Sequence, residues 1–214
     1  MAELSDELNQ KSSITSSHPT GEGIVLDIGT GDGLFVYKSA RENPRKFYIG
    51  IDANTRPLEK ISEKVHRKPS KGGLPNVLFL RAAIEDLPEE LNGVADEIHV
   101  HFPWGSLLGG LLGGDGRVLI AIRRLCAVNA LLELVMGLDP QRDRTELSRL
   151  AIAEFTPAQI RSRLAQPYLN AGFEITEVGE LLPSDWPHIH STWAKRLAQN
   201  PNRSLTYLIA RAIK

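Results

Sequence analysis

Short apolar runs alternate along the chain with longer stretches of helical periodicity, the pattern of a parallel sheet covered by crossover helices. Gly23 to Ile28 (GIVLDI) reads as a first strand ending in glycines, and a helix follows from about Gly33 to Glu42, stopped by Asn43-Pro44. Lys46 to Asp52 (KFYIGID) is the second strand. Thr55 then offers a cap and Pro57 a first turn, so a helix is predicted as far as Lys68-Pro69, because proline's fixed φ suits only the start of a helix. Val77 to Leu80 and Glu97 to Phe102 give a third and a fourth strand. A helix from Gly114-Asp115 to about Ala127 precedes a fifth strand, Leu131 to Met136. The charged stretch Asp139 to Glu154 predicts a loop or a broken helix, and Thr156-Pro157 opens a helix to about Asn170. The end of the chain reads as strand (Phe173 to Leu181), helix (Asp185 to Ala198) and strand (Ser204 to Ile213).

Seven strands with interleaved helices predict an α/β fold: a doubly wound, mostly parallel, seven-stranded sheet with helices on both faces. Right-handed crossovers put the ligand crevice of such a sheet outside the carboxyl ends of its first strands. Residues 23–214 are expected to form one domain, with insertions at about 139–156 and 183–203, behind a flexible lead-in at 1–22.

Composition narrows this only a little. The 214 residues are 42% hydrophobic and 24% charged, an ordinary globular balance. Cys126 is the single cysteine, which excludes an intrachain disulfide and a cysteine-rich zinc site and favours a reducing, cytoplasmic setting. The longest apolar run, Ala127 to Leu138, is interrupted by Asn129 and Glu133, so no membrane span is expected. The polar start of the chain lacks the basic and apolar regions of a signal peptide. A net charge of −1 argues against indiscriminate coating of nucleic acid but permits a local basic face.

Candidate chemistry begins at Asp27-Ile28-Gly29-Thr30-Gly31-Asp32-Gly33, on the junction between first strand and first helix. Glycines let the backbone turn sharply there and approach a ligand without a Cβ in the way. Asp52, ending the next strand, can accept hydrogen bonds from both ribose hydroxyls of an adenosine. Dinucleotide enzymes use G-x-G-x-x-G, which aims a helix N-terminus at an anionic pyrophosphate. Here the spacing is G-x-G-x-G, with Asp27 before it and Asp32 inside it. Carboxylates suit the ammonium and sulfonium of S-adenosylmethionine far better than a pyrophosphate. The expected cofactor is therefore S-adenosylmethionine, with S-adenosylhomocysteine as product, held by Asp27, Gly29, Gly31, Gly33 and Asp52. Ala83, Ile84 and Glu85 follow the third strand, where such folds contact the adenine ring. Glu85 is equally readable as a solvated loop carboxylate.

His101-Phe102-Pro103-Trp104-Gly105-Ser106 ends the fourth strand, beside the expected position of the transferable methyl. Enzymes that methylate exocyclic amines often carry Asn/Asp-Pro-Pro-aromatic at this place. This chain keeps the proline and the aromatic and lacks the leading Asn or Asp. On the residues alone, Trp104 serves either to stack a planar substrate or to pack in a core.

DIGTGDG (27–33), FYIGID (47–52), KPSKGGLPNV (68–77), FPWGSLL (102–108) and S-x-W-A-K-R-L (191–197) together resemble the aminoglycoside-resistance 16S rRNA (adenine(1408)-N1)-methyltransferases of the kanamycin–apramycin type. The resemblance spans roughly residues 24 to 213. It implies a class I Rossmann-like methyltransferase acting on N1 of adenine 1408 in the decoding site of the 30S subunit. It also implies that Trp104 and Trp193 sandwich the flipped adenine, with Pro103 shaping the turn and Ser106 as a polar neighbour. That agrees with physical expectation, since a base inside folded RNA must leave its stack to reach a methyl donor. Trp186 has no counterpart in these motifs and reads as packing. The nearest rival is similar to transfer RNA guanine-N7 methyltransferases, whose F-P-D-P-W is absent here; a small-molecule methyltransferase is a further alternative.

A ribosome-binding monomer needs cations placed for phosphates. Lys60, Lys64, Arg67, Lys68 and Lys71 recur every three or four residues, so several are predicted to share a helix face. A second cluster, Lys195, Arg196 and Arg203, follows Trp193. Lys64, Arg67, Lys68, Lys71, Arg196 and Arg203 are accordingly the expected RNA contacts, although a solvated helix face has the same pattern. Arg142, Arg144 and Arg149 are further cations in the 139–156 region. His99 and His101 share a strand face and His188 and His190 have the same spacing, but nothing in the sequence brings the pairs together, so no metal is expected.

Overall fold

The computed structural model describes residues 22–139, 141–152, 155–182, 189–200 and 204–214. Strand β1 (Ile24–Ile28) lies near the middle of the sheet. On one side of it stand β2 (Phe47–Asp52) and then β3 (Val77–Arg81). On the other stand β4 (Ala95–His101), β5 (Cys126–Met136), β7 (Leu205–Ala212) and β6 (Phe173–Leu181), giving the order β3-β2-β1-β4-β5-β7-β6. The first five strands run parallel, while β7 pairs antiparallel with both β5 and β6. The expected seven-stranded, mostly parallel sheet is observed, and the strand order reverses at β1 and β4, where ligand crevices open in such sheets.

Helices cover both faces. Against one face, α3 (Gly105–Gly113), α4 (Gly116–Leu125) and α6 (Pro157–Asn170) bury Leu108, Leu111, Leu119, Ile122 and Leu164 onto Leu26, Ile98, Leu132 and Leu134 of the sheet. Each such fully buried aliphatic side chain contributes about 1.5–3 kcal/mol. Against the other face, α1 (Leu34–Glu42) and α2 (Glu59–Val65) set Phe35, Val36 and Val65 on Val25 and Tyr48. Further along this second face, α7 (Thr192–Leu197) packs Ala194 and Leu197 on Val135 and Leu205. The short α5 (Arg144–Arg149) inserts Leu147 into the first cluster, and it is the broken helix read in the charged stretch.

Several elements differ from the sequence reading. The helix expected to reach Lys68 ends at Val65, and Pro69–Lys71 forms a separate 3-10 turn. Residues preceding a proline are driven out of the α region, so Arg67, Lys68 and Lys71 leave the helix face on which the spacing put them. Helix α3 (GSLLGGLLG) was not anticipated, because glycine is a poor helix former. Its glycines serve packing: a Cβ on Gly110 would stand 2.6 Å from Val118 of α4. Strand β5 begins at Cys126 rather than Leu131, so that thiol opens a strand instead of closing a helix. The helix expected from Asp185 starts at Thr192, capped by the Ser191 hydroxyl on the Ala194 N–H. Trp186, His188 and Arg203, like the lead-in up to residue 21, lie outside the described residues. Among the described residues no single helix is long and apolar enough to cross a membrane.

Candidate active site

The glycine loop is anchored before any ligand arrives. Gly29 and Thr30 donate their N–H groups to the Ile51 carbonyl at 2.8 and 3.1 Å, which ties the end of β1 to the end of β2. Asp52 completes the tie: one carboxylate oxygen accepts from Gly31 N–H at 2.8 Å and the other from Asn54 N–H at 2.8 Å. Gly29, Gly31 and Gly33 all have positive φ. At Gly33 the need for glycine is steric as well, since a Cβ would press on Phe79 at 2.7 Å. Above Gly31 the space is open, a Cβ meeting nothing nearer than the Gly29 carbonyl at 4.0 Å. A left-handed loop with open space over it and a fixed carboxylate at its side fits the adenosine of S-adenosylmethionine. Ala83, Ile84 and Glu85 follow β3, in a turn docked by Ala82 N–H on the Asp52 carbonyl at 3.2 Å. Glu85 itself is exposed.

The two loop carboxylates have different tasks. Asp27 is buried at the end of β1, and burial pushes its pKa up against the pull of His101. Asp32 is engaged inside the protein: one oxygen accepts from the Leu34 N–H at 3.1 Å, and the other accepts from the Thr192 hydroxyl. The charge argument that placed Asp32 toward the cofactor missed both partners.

That second contact carries α7 to the glycine loop. Thr192 precedes Trp193, whose indole is 57% exposed, and the Arg196 guanidinium lies 5.6 Å from its ring centroid. Trp104 follows the end of β4 and is 61% exposed, while Pro103 before it is buried and Ser106 after it is exposed. Exposure of this order excludes core packing for either indole. The turn between β4 and Trp104 is strained, with Phe102 at φ +52°, a conformation costing a bulky residue about 1–3 kcal/mol. Its N–H donates to the Val135 carbonyl at 2.8 Å, and its ring packs on the cluster of Val135, Ile189, Ala194 and Leu197. One apolar cluster therefore supports both the Trp104 turn and the Trp193 helix, and β1 and β4 are parallel neighbours. Both indoles consequently belong to the carboxyl edge of the sheet, where the glycine loop lies.

A family profile described as NpmA, 16S rRNA (adenine(1408)-N(1))-methyltransferase, matches residues 7–212. The chain belongs to that family. A 16S rRNA (adenine(1408)-N(1))-methyltransferase of Streptoalloteichus tenebrarius is 38% identical over 183 residues, covering 85% of this chain and 83% of the relative. The crystal structure of the aminoglycoside resistance methyltransferase NpmB1 superposes with a TM-score of 0.82 at 44% identity, covering 95% of this chain and 93% of that one. A mutant of the Catenulisporales acidiphilia 16S rRNA (adenine(1408)-N(1))-methyltransferase, with cosubstrate SAM, gives a TM-score of 0.84 at 31% identity, covering 98% and 91%. A tRNA (guanine-N(7)-)-methyltransferase of Bacillus cytotoxicus aligns over only 99 residues, 45% of this chain. The fold is thus the Rossmann-like methyltransferase fold, and the rRNA enzymes are matched over far more of it than the tRNA enzyme.

For an adenine-1408 methyltransferase the basic residues matter next. Lys68, Ser70 and Lys71 are exposed on a tight loop closed by Lys71 N–H and Gly73 N–H, both on the Lys68 carbonyl at 2.7 and 3.2 Å. The Tyr37 hydroxyl donates to the Gly72 carbonyl at 3.0 Å and pins this loop to α1. Lys64 is partly engaged, its ammonium 4.2 Å from the Tyr37 ring centroid, whereas Arg67 and Arg196 are exposed. Arg149 pairs with Glu146 at 2.6 Å and Arg142 with Asp139 at 3.9 Å.

Sequence reasoning put His99 and His101 on one strand face and missed the carboxylate that joins them. Glu133 accepts from His99 Nδ1 at 3.0 Å and from His101 Nε2 at 2.8 Å. Burial alone would depress the His99 imidazole, but hydrogen bonds to Glu133 and Glu97 outweigh it and push its pKa up to about 9. Burial likewise opposes the Glu133 charge, and its two histidine partners hold it well below the usual carboxylate range. Of the second histidine pair, His190 lies 3.2 Å from Glu42 at the end of α1, and His188 lies outside the described residues. The only signal for Glu133 was a carboxylate interrupting an apolar strand.

Proposed function

We propose that this chain transfers a methyl group from S-adenosylmethionine to N1 of adenine 1408 in the 16S rRNA of the 30S subunit, giving aminoglycoside resistance. Family membership supports the reaction. The observation that supports the site is the Thr192–Asp32 contact, which holds an exposed tryptophan beside the cofactor loop while the β4 turn presents another. S-adenosylmethionine supplies a methyl on a positively charged sulfur. Asp27, Gly29, Gly31, Gly33 and Asp52 would hold it, with Ala83, Ile84 and Glu85 near the adenine end. Adenine N1 has its own in-plane lone pair, so no residue need remove a proton. The protein's part is to extract the base and align it, which is where orientation contributes to rate.

In this reading Trp104 and Trp193 stack on the two faces of the extruded adenine, Pro103 fixes the turn, and Ser106 is the polar neighbour. Each stack contributes about 1–3 kcal/mol, which offsets the unstacking cost. Lys64, Arg67, Lys68, Lys71 and Arg196 would dock phosphates, with Arg203 continuing the second cluster. We place the enzyme in the cytoplasm with the ribosome, acting as a monomer, with 23–214 as one methyltransferase domain and 139–156 and 183–203 as its insertions. Primer extension on 30S subunits treated with enzyme and donor tests the assignment. A new stop at adenine 1408 is expected; full-length extension through it defeats the reading.

A further inference from the structure

Below the Trp104 turn, three side chains with metal-binding atoms converge on the α1 side of the sheet. Side chains two apart on a strand share a face, so His99 and His101 of β4 project together, and Glu133 of β5 stands in register with His99. One ligand atom from each of the three lies within 4.8 Å of the other two, and among the described residues this is the single such group of His, Cys, Asp and Glu. The surroundings are those of a fixed site. His99 Nε2 faces the Glu97 carboxylate at 3.5 Å, and Glu97 is held by Lys46 at 2.6 Å. A carboxylate behind the far nitrogen of a ligating imidazole sets ring orientation in metal centres. Phe35 covers both imidazoles, with centroid separations of 5.2 Å to His99 and 4.6 Å to His101. His101 is 8% exposed and its Nδ1 is buried without a partner.

We propose that His99 Nδ1, His101 Nε2 and the Glu133 carboxylate bind one zinc ion, with water as the fourth ligand. Two imidazoles and one carboxylate are a borderline donor set that suits zinc, whereas magnesium and calcium require oxygen ligands throughout. Zinc bonds of about 2.0–2.1 Å place tetrahedral donor atoms roughly 3.3 Å apart. The two contacts to Glu133, at 2.8 and 3.0 Å, would open by a few tenths of an ångström, and the two imidazole nitrogens, within 4.8 Å of one another, would settle to the same spacing. The ion would staple β4 to β5 just before Pro103 and Trp104. The site stands apart from the methyl-transfer assignment.

The test uses the full chain without an affinity tag, stripped with chelator and titrated with Zn²⁺ by calorimetry and with Co²⁺ by visible absorption. One ion per chain is expected, with a dissociation constant of roughly micromolar or tighter, a raised Tm, and cobalt bands of a four-coordinate nitrogen–oxygen site. Glu133→Gln and His101→Gln should each weaken binding by roughly a hundredfold or more. Absence of one-to-one binding to the unsubstituted chain overturns the proposal, and so does binding that survives both substitutions. If Glu133→Gln does not fold, His101→Gln alone decides. Because neither readout depends on RNA or methyl transfer, failure here is distinct from failure of the proposed function.

Discussion

The Thr192 hydroxyl donates to the Asp32 carboxylate, joining a residue of the glycine loop to one 160 positions away. Asp32 also accepts from the Leu34 N–H at the start of α1, so the position of Trp193 is coupled to the loop proposed to receive the cofactor. A hydrogen bond to a charged group contributes about 1.5–3 kcal/mol when shielded, and partial exposure reduces that here to about 1 kcal/mol, roughly fivefold. Thr192→Val is expected to lower kcat/KM for 30S subunits by about that factor while donor affinity stays unchanged. Thr192→Ser should restore it, and a variant Thr192→Val with unaltered kcat/KM would detach the contact from activity.

Removing either exposed indole should separate donor binding from catalysis. Trp104→Ala and Trp193→Ala are each expected to bind S-adenosylhomocysteine normally in calorimetry yet lose methylation by about 10-fold or more, the worth of one stacking contact. Full activity in either variant removes that ring from the base-binding site.

Lys68→Glu reverses a charge on the pinned loop. Affinity for 30S subunits should fall, and the slope of log affinity against log salt should shrink by about one, as for one lost phosphate contact. Donor affinity is expected to be unchanged. An unaltered salt slope takes Lys68 off the docking surface.

Gly33→Ala combines a left-handed φ of +67° with a Cβ placed 2.7 Å from Phe79. Overpacking of this kind costs about 1–3 kcal/mol, which for a chain of this size lowers Tm by roughly 2–4 °C per kcal/mol. Differential scanning calorimetry checks the drop, and the donor should bind more weakly as well. A Tm equal to that of the unsubstituted chain would show that the loop yields more readily than its contacts imply.

Cys126 is buried, and burial pushes its thiol up to about 12. The thiolate is the reactive form, so a disulfide-based thiol reagent at pH 8 is expected to find no reactive group in the native protein. One should appear per chain in denaturant. Fast labelling of the native protein would contradict the burial.

Much of this fold was legible because its signals are local. Strands β2 and β6 declare themselves in KFYIGID and FEITEVGEL, and the glycine loop is read directly from spacing. What escaped depends on partners distant in sequence. Helix α3 hides behind glycines whose value is close approach to Val118. Asp32 looked free for a cationic ligand because nothing near it in sequence announces Thr192. Glu133 looked like a flaw in an apolar run until pairing with β4 set it opposite His99. Lys68 and Lys71 fit a helical period, yet Pro69 puts them on a loop instead.

The loop from Lys68 to Gly73 has little freedom to rearrange, being stitched to itself and clasped by Tyr37. Such a frame fixes where the Lys68 and Lys71 side chains begin, and in the proposed docking role it would narrow the range of phosphate spacings that both ammonium groups can reach together. A strand of the wrong curvature would meet the same number of cations and gain less from them. Discrimination between ribosomal surfaces could then arise from fixed spacing rather than from total charge.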